Sequence, residues 1–385
     1  MFGILALAGM VSLSRAEKDA YFEKPPQNTL HDCHSEPEPY GECRLPNGLT
    51  AKEIETRLAG KDTAWWRDGD QFVVIAKRNT DQAYLCCAAR GRMDHVEGDD
   101  WALRLRIIDL DHATIDISVR PRGSTPDEIY RGPNAPAAFV RAPSLHGHFY
   151  PQAFESQNLD GARGISVYVP PGETPSHLLP VVYMADGNFR LTTPSVIEPL
   201  IESGKLPPMI LVGIWSGNSH KADEDRRSEE YLLGWPNGYG YFLRHENFLL
   251  HELIPFVEKT YGASSDPKDR IITGFSSGAA WAVAMGIRHP NVFPTVIAQS
   301  MVWPGGYSPA STWQFQDNDK GLRFYLSAGT LEPEFYRGTL RFAEEARKES
   351  LDVQLETTVS GHTPTIWEPM LVHALQWAFA VPKKN

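Results

Sequence analysis

The chain has 385 residues, of which 42% are hydrophobic, and a formal net charge of -11 at pH 7. This length exceeds one small domain of about 100 to 200 residues, so it predicts two domains with enough apolar material for buried cores. The acidic balance argues against nucleic acid or an anionic membrane surface as a partner, because both are bound through basic patches.

The N-terminus carries one apolar stretch, residues 3–13, followed by Ser14, Arg15 and Ala16. This length suits the hydrophobic region of a signal peptide and is too short to span a membrane, and Ser14 and Ala16 resemble a small-residue cleavage site. No Lys or Arg precedes the apolar run, so the peptide is atypical or the start is misassigned. We expect a signal peptide over residues 1–16 and a periplasmic or secreted protein, with no membrane contact beyond export; the alternative is a short buried helix.

Four cysteines, Cys33, Cys43, Cys86 and Cys87, all precede residue 90 and match no zinc-site spacing closely. In an exported protein we expect them to pair. Cys33 with Cys43 would close a small loop, whereas Cys86 and Cys87 point to opposite faces of a strand, so each could reach a different N-terminal partner. The sequence leaves the connectivity open and predicts no metal site.

Residues 17–120 are predicted to form a β-rich N-terminal domain. Short runs rich in β-branched and aromatic residues, separated by turn-forming residues, predict strands over 71–77, 83–88, 101–108 and 114–119. Such regular short strands suggest a small β-sandwich, which either shapes a substrate cleft or simply packs beside a second domain. Residues 121–143 contain five prolines and are predicted to be a linker.

From residue 144 to residue 385 strands and helices alternate. Strands are predicted over 165–169, 181–185, 209–214, 271–274, 295–299, 323–328 and 353–359, and helices over 247–261, 335–350 and 367–380. The alternation predicts an α/β domain with a mostly parallel sheet covered by helices on both faces. Active sites of such sheets lie at the carboxyl ends of the strands.

Residues 270–282, RIITGFSSGAAWA, contain the pattern Gly-x-Ser-x-Gly between a β-branched run and a helical pattern. In a nucleophile elbow, a serine on a sharp strand-to-helix turn has its hydroxyl lifted above the sheet, and glycines flank it where a Cβ would clash. The pattern therefore indicates Ser276 as a nucleophile between Gly274 and Gly278. The alternative is a glycine-rich turn with an idle serine.

A serine nucleophile needs an imidazole to take its proton and a carboxylate to orient that imidazole. After Ser276 the histidines are His289, His362 and His373. His289 lies in a predicted helix end and His373 in the middle of the last helix, whereas His362 lies in a loop after a predicted strand. His362 is therefore the predicted base, against the alternative of an ordinary loop histidine.

The loop after the predicted strand 323–328 contains two glutamates, Glu332 and Glu334. Both precede His362, as the order serine, acid, histidine of an α/β-hydrolase requires. Glu332 is our first candidate for the acid and Glu334 the alternative, although Glu334 suits the first turn of the following helix. The oxyanion is expected to bind the backbone N–H groups of Ser277 and Asn188, which follow the elbow serine and the earlier strand 181–185.

These segments resemble the esterase D-like "putative esterase" family, especially its enterochelin esterase-like branch. The resemblance is carried by VVYMADGN, HENFLLHELIPFVEKTYG, RIITGFSSGAAWAVAMGIRHPNVF, AGTLEPEF and SGHTPTIW, and it covers about residues 144–385. It implies an α/β-hydrolase with Ser276, Glu332 and His362 as its catalytic residues. The chain departs from the family at Ala279, where members often carry glycine, and at the acid, where many members carry aspartate.

We therefore expect a serine esterase that hydrolyses a small-molecule carboxylic ester through an acyl-enzyme, with no metal or organic cofactor. By resemblance, siderophore trilactones, feruloyl esters and S-formylglutathione are substrate classes of the family, which also includes mycolyl transferases. Two other interpretations stay open. One is acyl transfer to an alcohol at the same site, and the other is a non-catalytic binding protein on a hydrolase scaffold.

Several loop residues are candidates for substrate binding. Arg226 and Arg227 either hold an anionic substrate or are solvated surface charges, and the sequence slightly favours the second reading. Loop aromatic residues are candidates for an acyl pocket, although plain packing is the commoner role of such residues; they are Trp215, Trp235, Tyr239, Tyr241 and Trp303.

Overall fold

The computed structural model describes residue 33 and residues 41–125, 127–172, 178–187, 192–217, 225–235, 238–301, 315 and 321–380. The predicted signal peptide, Asn188 and Trp303 lie outside these residues. No helix in the described ranges combines the length and the hydrophobicity needed to cross a membrane.

The N-terminal part forms two antiparallel sheets. The first has the order β1-β7-β3-β2, with β6 also paired to β7, and the second has the order β5-β4-β8-β9. One hydrophobic cluster contains residues of both, such as Phe72 and Leu103 from the first sheet and Leu85 and Ile117 from the second. The strands are β1 Glu42–Leu45, β2 Thr63–Asp68, β3 Gln71–Lys77, β4 Tyr84–Cys87, β5 Gly91–Arg92, β6 Asp94–Glu97, β7 Asp100–Ile107, β8 Thr114–Arg120 and β9 Glu128–Arg131.

Helix α1, Ala51–Leu58, begins at Thr50, whose hydroxyl and backbone N–H form reciprocal bonds with Glu53, so a capping box fixes its start. The predicted linker 121–143 is not wholly irregular, because it contributes β9, which pairs with β8. A strand of four residues is too short to carry a hydrophobic pattern that can be read from the sequence.

The cysteines pair as Cys33 with Cys43 and Cys86 with Cys87. The alternative in which Cys86 and Cys87 each reach a different N-terminal cysteine is therefore wrong. The first pair ties residue 33 to strand β1.

The C-terminal part is built on a mixed sheet of eight strands in the order β10-β11-β13-β12-β14-β15-β16-β17. The pairings β10 with β11 and β11 with β13 are antiparallel, and the remaining pairings are parallel. The parallel part is as expected, while the antiparallel edge was not predicted. The strands are β10 His148–Phe154, β11 Arg163–Val169, β12 Val181–Ala185, β13 Ile210–Ile214, β14 Arg270–Phe275, β15 Thr295–Gln299, β16 Arg323–Gly329 and β17 Asp352–Thr358.

Helices cover both faces of this sheet. Successive strand residues point to opposite faces, so Val181 and Tyr183 join one core cluster while Val182 joins the other. The first cluster lies under α3 to α7 and the second under α2 and α8. The helices are α2 Thr192–Glu202, α3 Arg226–Tyr231, α4 Tyr239–Phe248, α5 Ile254–Tyr261, α6 Ser277–Arg288, α7 Pro333–Lys348 and α8 Pro364–Phe379.

The predicted helix 247–261 contains Pro255, which would break an ordinary α-helix in its interior. A π-helical turn, Leu249–Leu253, joins α4 to α5 and places Pro255 in the first turn of α5. The missing N–H of proline is tolerated in a first turn. The helix therefore continues past the proline.

Candidate active site

The turn between β14 and α6 has the geometry of a nucleophile elbow. Ser276 has φ 56° and ψ -125°, a strained conformation for a residue with a Cβ, and its N–H donates to the carbonyl of Gln299 at 3.0 Å. A Cβ on Gly274 would collide with the carbonyl of Gly278, and one on Gly278 would lie 2.8 Å from the Cβ of Ala185. Both glycines are therefore required by close packing, as the sequence motif implied.

A carboxylate and an imidazole meet at the ends of the two neighbouring strands β16 and β17. Nδ1 of His362 lies 2.7 Å from Oε2 of Glu332, and the two side chains are 7% and 1% exposed. The ring of Phe335 stacks on the imidazole with centroids 3.9 Å apart. The carboxylate and the stacked ring together fix the orientation of His362.

The other oxygen of Glu332 is held by two donors. Oε1 accepts the hydroxyl of Ser300 at 2.6 Å and the N–H of Gly329 at 2.7 Å. Ser300 directly follows β15 and has φ 49°, which turns the chain at the carboxyl edge of the sheet. A buried carboxylate is costly unless its oxygens are hydrogen-bonded, and these contacts meet that requirement for Glu332.

Trp367 in α8 links the elbow to the imidazole. Its ring stacks on Phe275, the residue before Ser276, with centroids 4.1 Å apart, and meets the ring of His362 edge to face at 4.8 Å. Its Nε1 donates to the hydroxyl of Ser300 at 2.8 Å. One indole therefore contacts three parts of the site, which come from the ends of β14, β15 and β17.

The alternative acid and bases lie in other surroundings. Glu334 is exposed in the first turn of α7, as its helix-capping reading implied. His289 binds Glu246, with Nε2 2.8 Å from the carboxylate, and His373 binds Glu356, with Nδ1 2.9 Å from it. These partners give His289 and His373 roles outside the site.

The elbow also supplies the backbone donor expected at Ser277. Ser277 is the first residue of α6, so helix geometry gives its N–H no acceptor within the helix. The positive end of the helix dipole also favours negative charge at this point. The second expected donor, Asn188, lies outside the described residues.

Asp186, in the loop that precedes Asn188, is 4% exposed and has φ 56°. Its carboxylate accepts two bonds from Arg227, at 2.7 and 2.8 Å, and its N–H donates to the hydroxyl of Tyr231. Burial lowers the pKa of Arg227, but the charge and hydrogen bonds of Asp186 outweigh burial and hold that pKa above its usual value. Arg227 thus fixes the loop that follows β12.

Arg226 is not a solvated surface charge either. It is 9% exposed, and its guanidinium lies 3.5 Å from the ring centroid of Tyr241 and 3.1 Å from Glu229. The expectation of surface charges is therefore wrong for this pair, because each arginine has a partner within the fold. Composition alone does not reveal those partners.

The predicted aromatic residues do not share one environment in the part of the chain that the structure describes. Trp215 packs on Gly164 and donates from Nε1 to Ser166 at 3.0 Å. Trp235 is buried in the core, whereas Tyr239 is 58% exposed.

A cavity of about 280 Å³ lies beside the elbow. Gly274 and Phe275 line it, together with Met184, Leu211 and Trp367. Of the catalytic candidates Ser276, Glu332 and His362, none lines it in the described structure. The cavity therefore adjoins the predicted site without containing the predicted reacting groups.

One group of described residues has the composition of a metal site. Ligand atoms of His146, Glu198 and Glu202 lie within 4.8 Å of one another. Glu198, however, accepts bonds from the N–H groups of His146 and Gly147 and from the hydroxyl of Tyr168, and the His146 ring binds Glu202. The group thus has a structural function of its own, which is to hold residues 146–147 against α2.

The mixed sheet and the helices on its two faces form an α/β fold. The chain belongs to the family described as "Putative esterase", whose sequence model matches residues 156–378. Protein YjcH of Bacillus subtilis (strain 168) is 26% identical over 244 residues, which cover 60% of this chain and 97% of that protein. The resemblance seen in the sequence is thereby confirmed.

Solved structures share the fold over a longer part of the chain. The enterobactin esterase FES from Shigella flexneri, solved in the presence of enterobactin, matches with a TM-score of 0.64 at 16% identity, covering 84% of this chain and 98% of that one. The ferric enterobactin esterase from Salmonella typhimurium matches with a TM-score of 0.60 at 17% identity, covering 84% and 98%. Because the family model begins at residue 156, these matches extend into the N-terminal part.

Sequence reasoning missed four residues that shape the site. Ser300 donates a hydrogen bond to the acid Glu332. The rings of Trp367 and Phe335 contact the imidazole of His362. Arg227 holds the loop after β12. Ser300 had a readable signal, because it is a polar residue directly after a buried strand. The others lie on helices, where the sequence pattern does not distinguish a residue in the site from one in the core.

Proposed function

We propose that the protein is a serine esterase that hydrolyses carboxylic esters through an acyl-enzyme on Ser276. The hydroxyl of Ser276 attacks the ester carbonyl while Nε2 of His362 takes its proton, and the N–H of Ser277 stabilises the oxyanion. His362 then returns the proton to the leaving alcohol, and water releases the acid by the same route. Asn188 is the proposed second oxyanion donor.

One observation carries this proposal. The buried contact between Nδ1 of His362 and Glu332, at 2.7 Å, uses one ring nitrogen to orient the imidazole and keeps Nε2 as its basic atom. Trp367 contacts both this ring and the residue before Ser276. The arrangement therefore supports a base and a nucleophile that belong to one site.

The experiment is hydrolysis of p-nitrophenyl acetate by the intact protein and by Ser276→Ala. We expect a pre-steady-state burst of p-nitrophenol from the intact protein and no burst from the variant, because the burst counts acyl-enzyme formation. Ser277→Ala is a matched control, since it keeps the backbone N–H. Activity that survives in Ser276→Ala would overturn the proposed mechanism.

We propose that the substrate is a carboxylic ester. Enterobactin and feruloyl esters are the first compounds to test. Enterobactin esterases are among the solved structures that share this fold, and a ferulic acid esterase matches with a TM-score of 0.50 over 60% of the chain. Adding glycerol as an acceptor to each reaction distinguishes hydrolysis from acyl transfer, because transfer changes the ratio of free acid to new ester.

We further propose that the two N-terminal sheets form a small β-sandwich and that the protein is exported. The shared cluster containing Phe72 and Ile117 supports the first proposal. The disulfide Cys33–Cys43 supports the second, because disulfides persist in oxidising compartments. Signal-peptide cleavage in a fractionated host, read by mass spectrometry of the mature N-terminus, tests export.

A further inference from the structure

The N-terminal sheets contact the loop that carries His362. The N–H of Thr114, the first residue of β8, donates to the carbonyl of Val359 at 2.9 Å. A Cβ on Gly361 would collide with the carbonyl of Ala88. The backbone on the amino side of His362 therefore lies directly against the start of β8 and the residue that follows β4.

Asp116 makes the corresponding contact on the carboxyl side of His362. Its carboxylate accepts hydrogen bonds from the hydroxyl of Thr363 and, at 2.7 Å, from that of Thr365. Thr363 is also the residue that caps α8, since its hydroxyl accepts the N–H of Thr365. A carboxylate at this end of a helix is favoured by the helix dipole. Asp116 thus fixes the residue next to His362 and the start of α8 together.

The loop with the acid rests on the same N-terminal core. Leu331, which precedes Glu332, is 1% exposed and belongs to the N-terminal hydrophobic cluster. A Cβ on Gly41 would lie 2.8 Å from the carbonyl of Thr330. The N–H of Leu331 also donates to the carbonyl of Ser360 at 2.8 Å. The loop with Glu332 and the loop with His362 are therefore hydrogen-bonded to each other, and both pack on the N-terminal part of the chain.

We propose that Asp116 is a positioning residue of the esterase, and that through it the N-terminal sheets hold His362 in place. The inference rests on the proposed function, because it assigns His362 the role of base. Asp116 does not touch substrate in this scheme. It acts through the hydroxyls of Thr363 and Thr365, and its removal frees the loop to shift.

The test compares Asp116→Ala with Asp62→Ala in hydrolysis of p-nitrophenyl acetate by the full chain. Asp62 is the matched control, because its carboxylate also accepts bonds from two neighbouring residues, Ser124 and Thr125, within the N-terminal part. A displacement of about 1 Å in a catalytic group costs up to about 100-fold in rate. We expect kcat to fall at least about tenfold in Asp116→Ala with KM within about twofold, and to stay within about twofold in Asp62→Ala.

Two measurements separate positioning from general damage. End-point titration of the reactive serine with a p-nitrophenyl phosphonate counts correctly folded molecules, and we expect about one site per chain in Asp116→Ala. Asp116→Asn keeps one acceptor oxygen and should retain an intermediate kcat. Thr365→Val removes one donor, and the double variant with Asp116→Ala should be no slower than Asp116→Ala alone, because the two residues act through one contact.

Equal kcat values for Asp116→Ala and Asp62→Ala would overturn the inference. If Asp116→Ala does not fold, Asp116→Asn and Thr365→Val decide, and unchanged kcat in both would also overturn it. Failure of the proposed function looks different. In that case Ser276→Ala keeps its activity, whatever the variants at Asp116 do.

Discussion

Replacing Glu332 by glutamine tests the geometry of the site most directly. The N–H of Gly329 is a fixed donor to Oε1, so the amide oxygen of the new side chain has to take that position. The amide NH₂ then faces Nδ1 of His362, where Glu332 has its Oε2. Nδ1 has to accept instead of donate, and the ring proton moves to Nε2. An imidazole in that tautomer is unable to take the proton of Ser276.

The expected loss follows from this reversal of tautomer. In serine hydrolases an acid-to-amide change that preserves geometry lowers kcat about 10⁴-fold, so we expect a fall of about 10³- to 10⁴-fold for Glu332→Gln. At about 1.36 kcal/mol per factor of ten this is about 4 to 5 kcal/mol of transition-state stabilisation. The melting temperature should change little, because glutamine keeps the bonds to Gly329 and Ser300.

The assay is kcat for p-nitrophenyl acetate, with Glu334→Gln as the matched control. Glu334 is exposed, so its variant should keep kcat within about twofold. A kcat for Glu332→Gln within about tenfold of the intact protein would refute the assignment of Glu332 as the orienting acid. A loss in Glu334→Gln instead would transfer that role to Glu334.

Two further predictions concern stability. Burial lowers the pKa of His245 from 6.5 to about 4, so the unfolded chain binds more protons than the folded protein between these pH values. The free energy of unfolding should therefore fall by up to about 3 kcal/mol as the pH drops through that range. Urea denaturation at several pH values should show a smaller fall in His245→Leu, and equal falls would contradict the prediction. Arg227→Met leaves Asp186 buried without its cation and should lower the free energy of unfolding by about 3 kcal/mol. This is the low end for a broken buried ion pair, because the arginine side chain is 25% exposed. A loss below about 1 kcal/mol in urea denaturation would contradict this prediction.

The sequence predicted those helices and strands whose signals come from residues adjacent in the chain. Strand β14, the elbow and helix α6 follow one another within a short segment, and the close contacts of Gly274 and Gly278 explain why the motif is readable. Strand β10 had no such pattern. It contains Pro151 and consists of exposed and partly buried residues at the edge of the sheet, where a missing N–H is tolerated.

Charged residues were the harder part of the prediction. Helix α3 reads RRSEEY, which composition favours as solvent-exposed, yet Glu230 is 2% exposed because Arg163 on β11 forms two hydrogen bonds with it. Asp116 is only partly buried, but its partner Thr363 is also distant, 247 positions away in the sequence. A buried charge is tolerated when its partner is present, and a single sequence does not name a partner that distant.

The structure divides the support of the site between two parts of the fold. Ser276 is fixed by the central strands, through its bond to Gln299 and the close packing of its glycines. His362 is fixed by a loop that rests on the N-terminal sheets. Trp367 contacts Phe275 on one side and His362 on the other. We therefore expect a shift of the N-terminal sheets to reach the elbow through this indole, because Trp367 contacts the residue before Ser276 as well as His362.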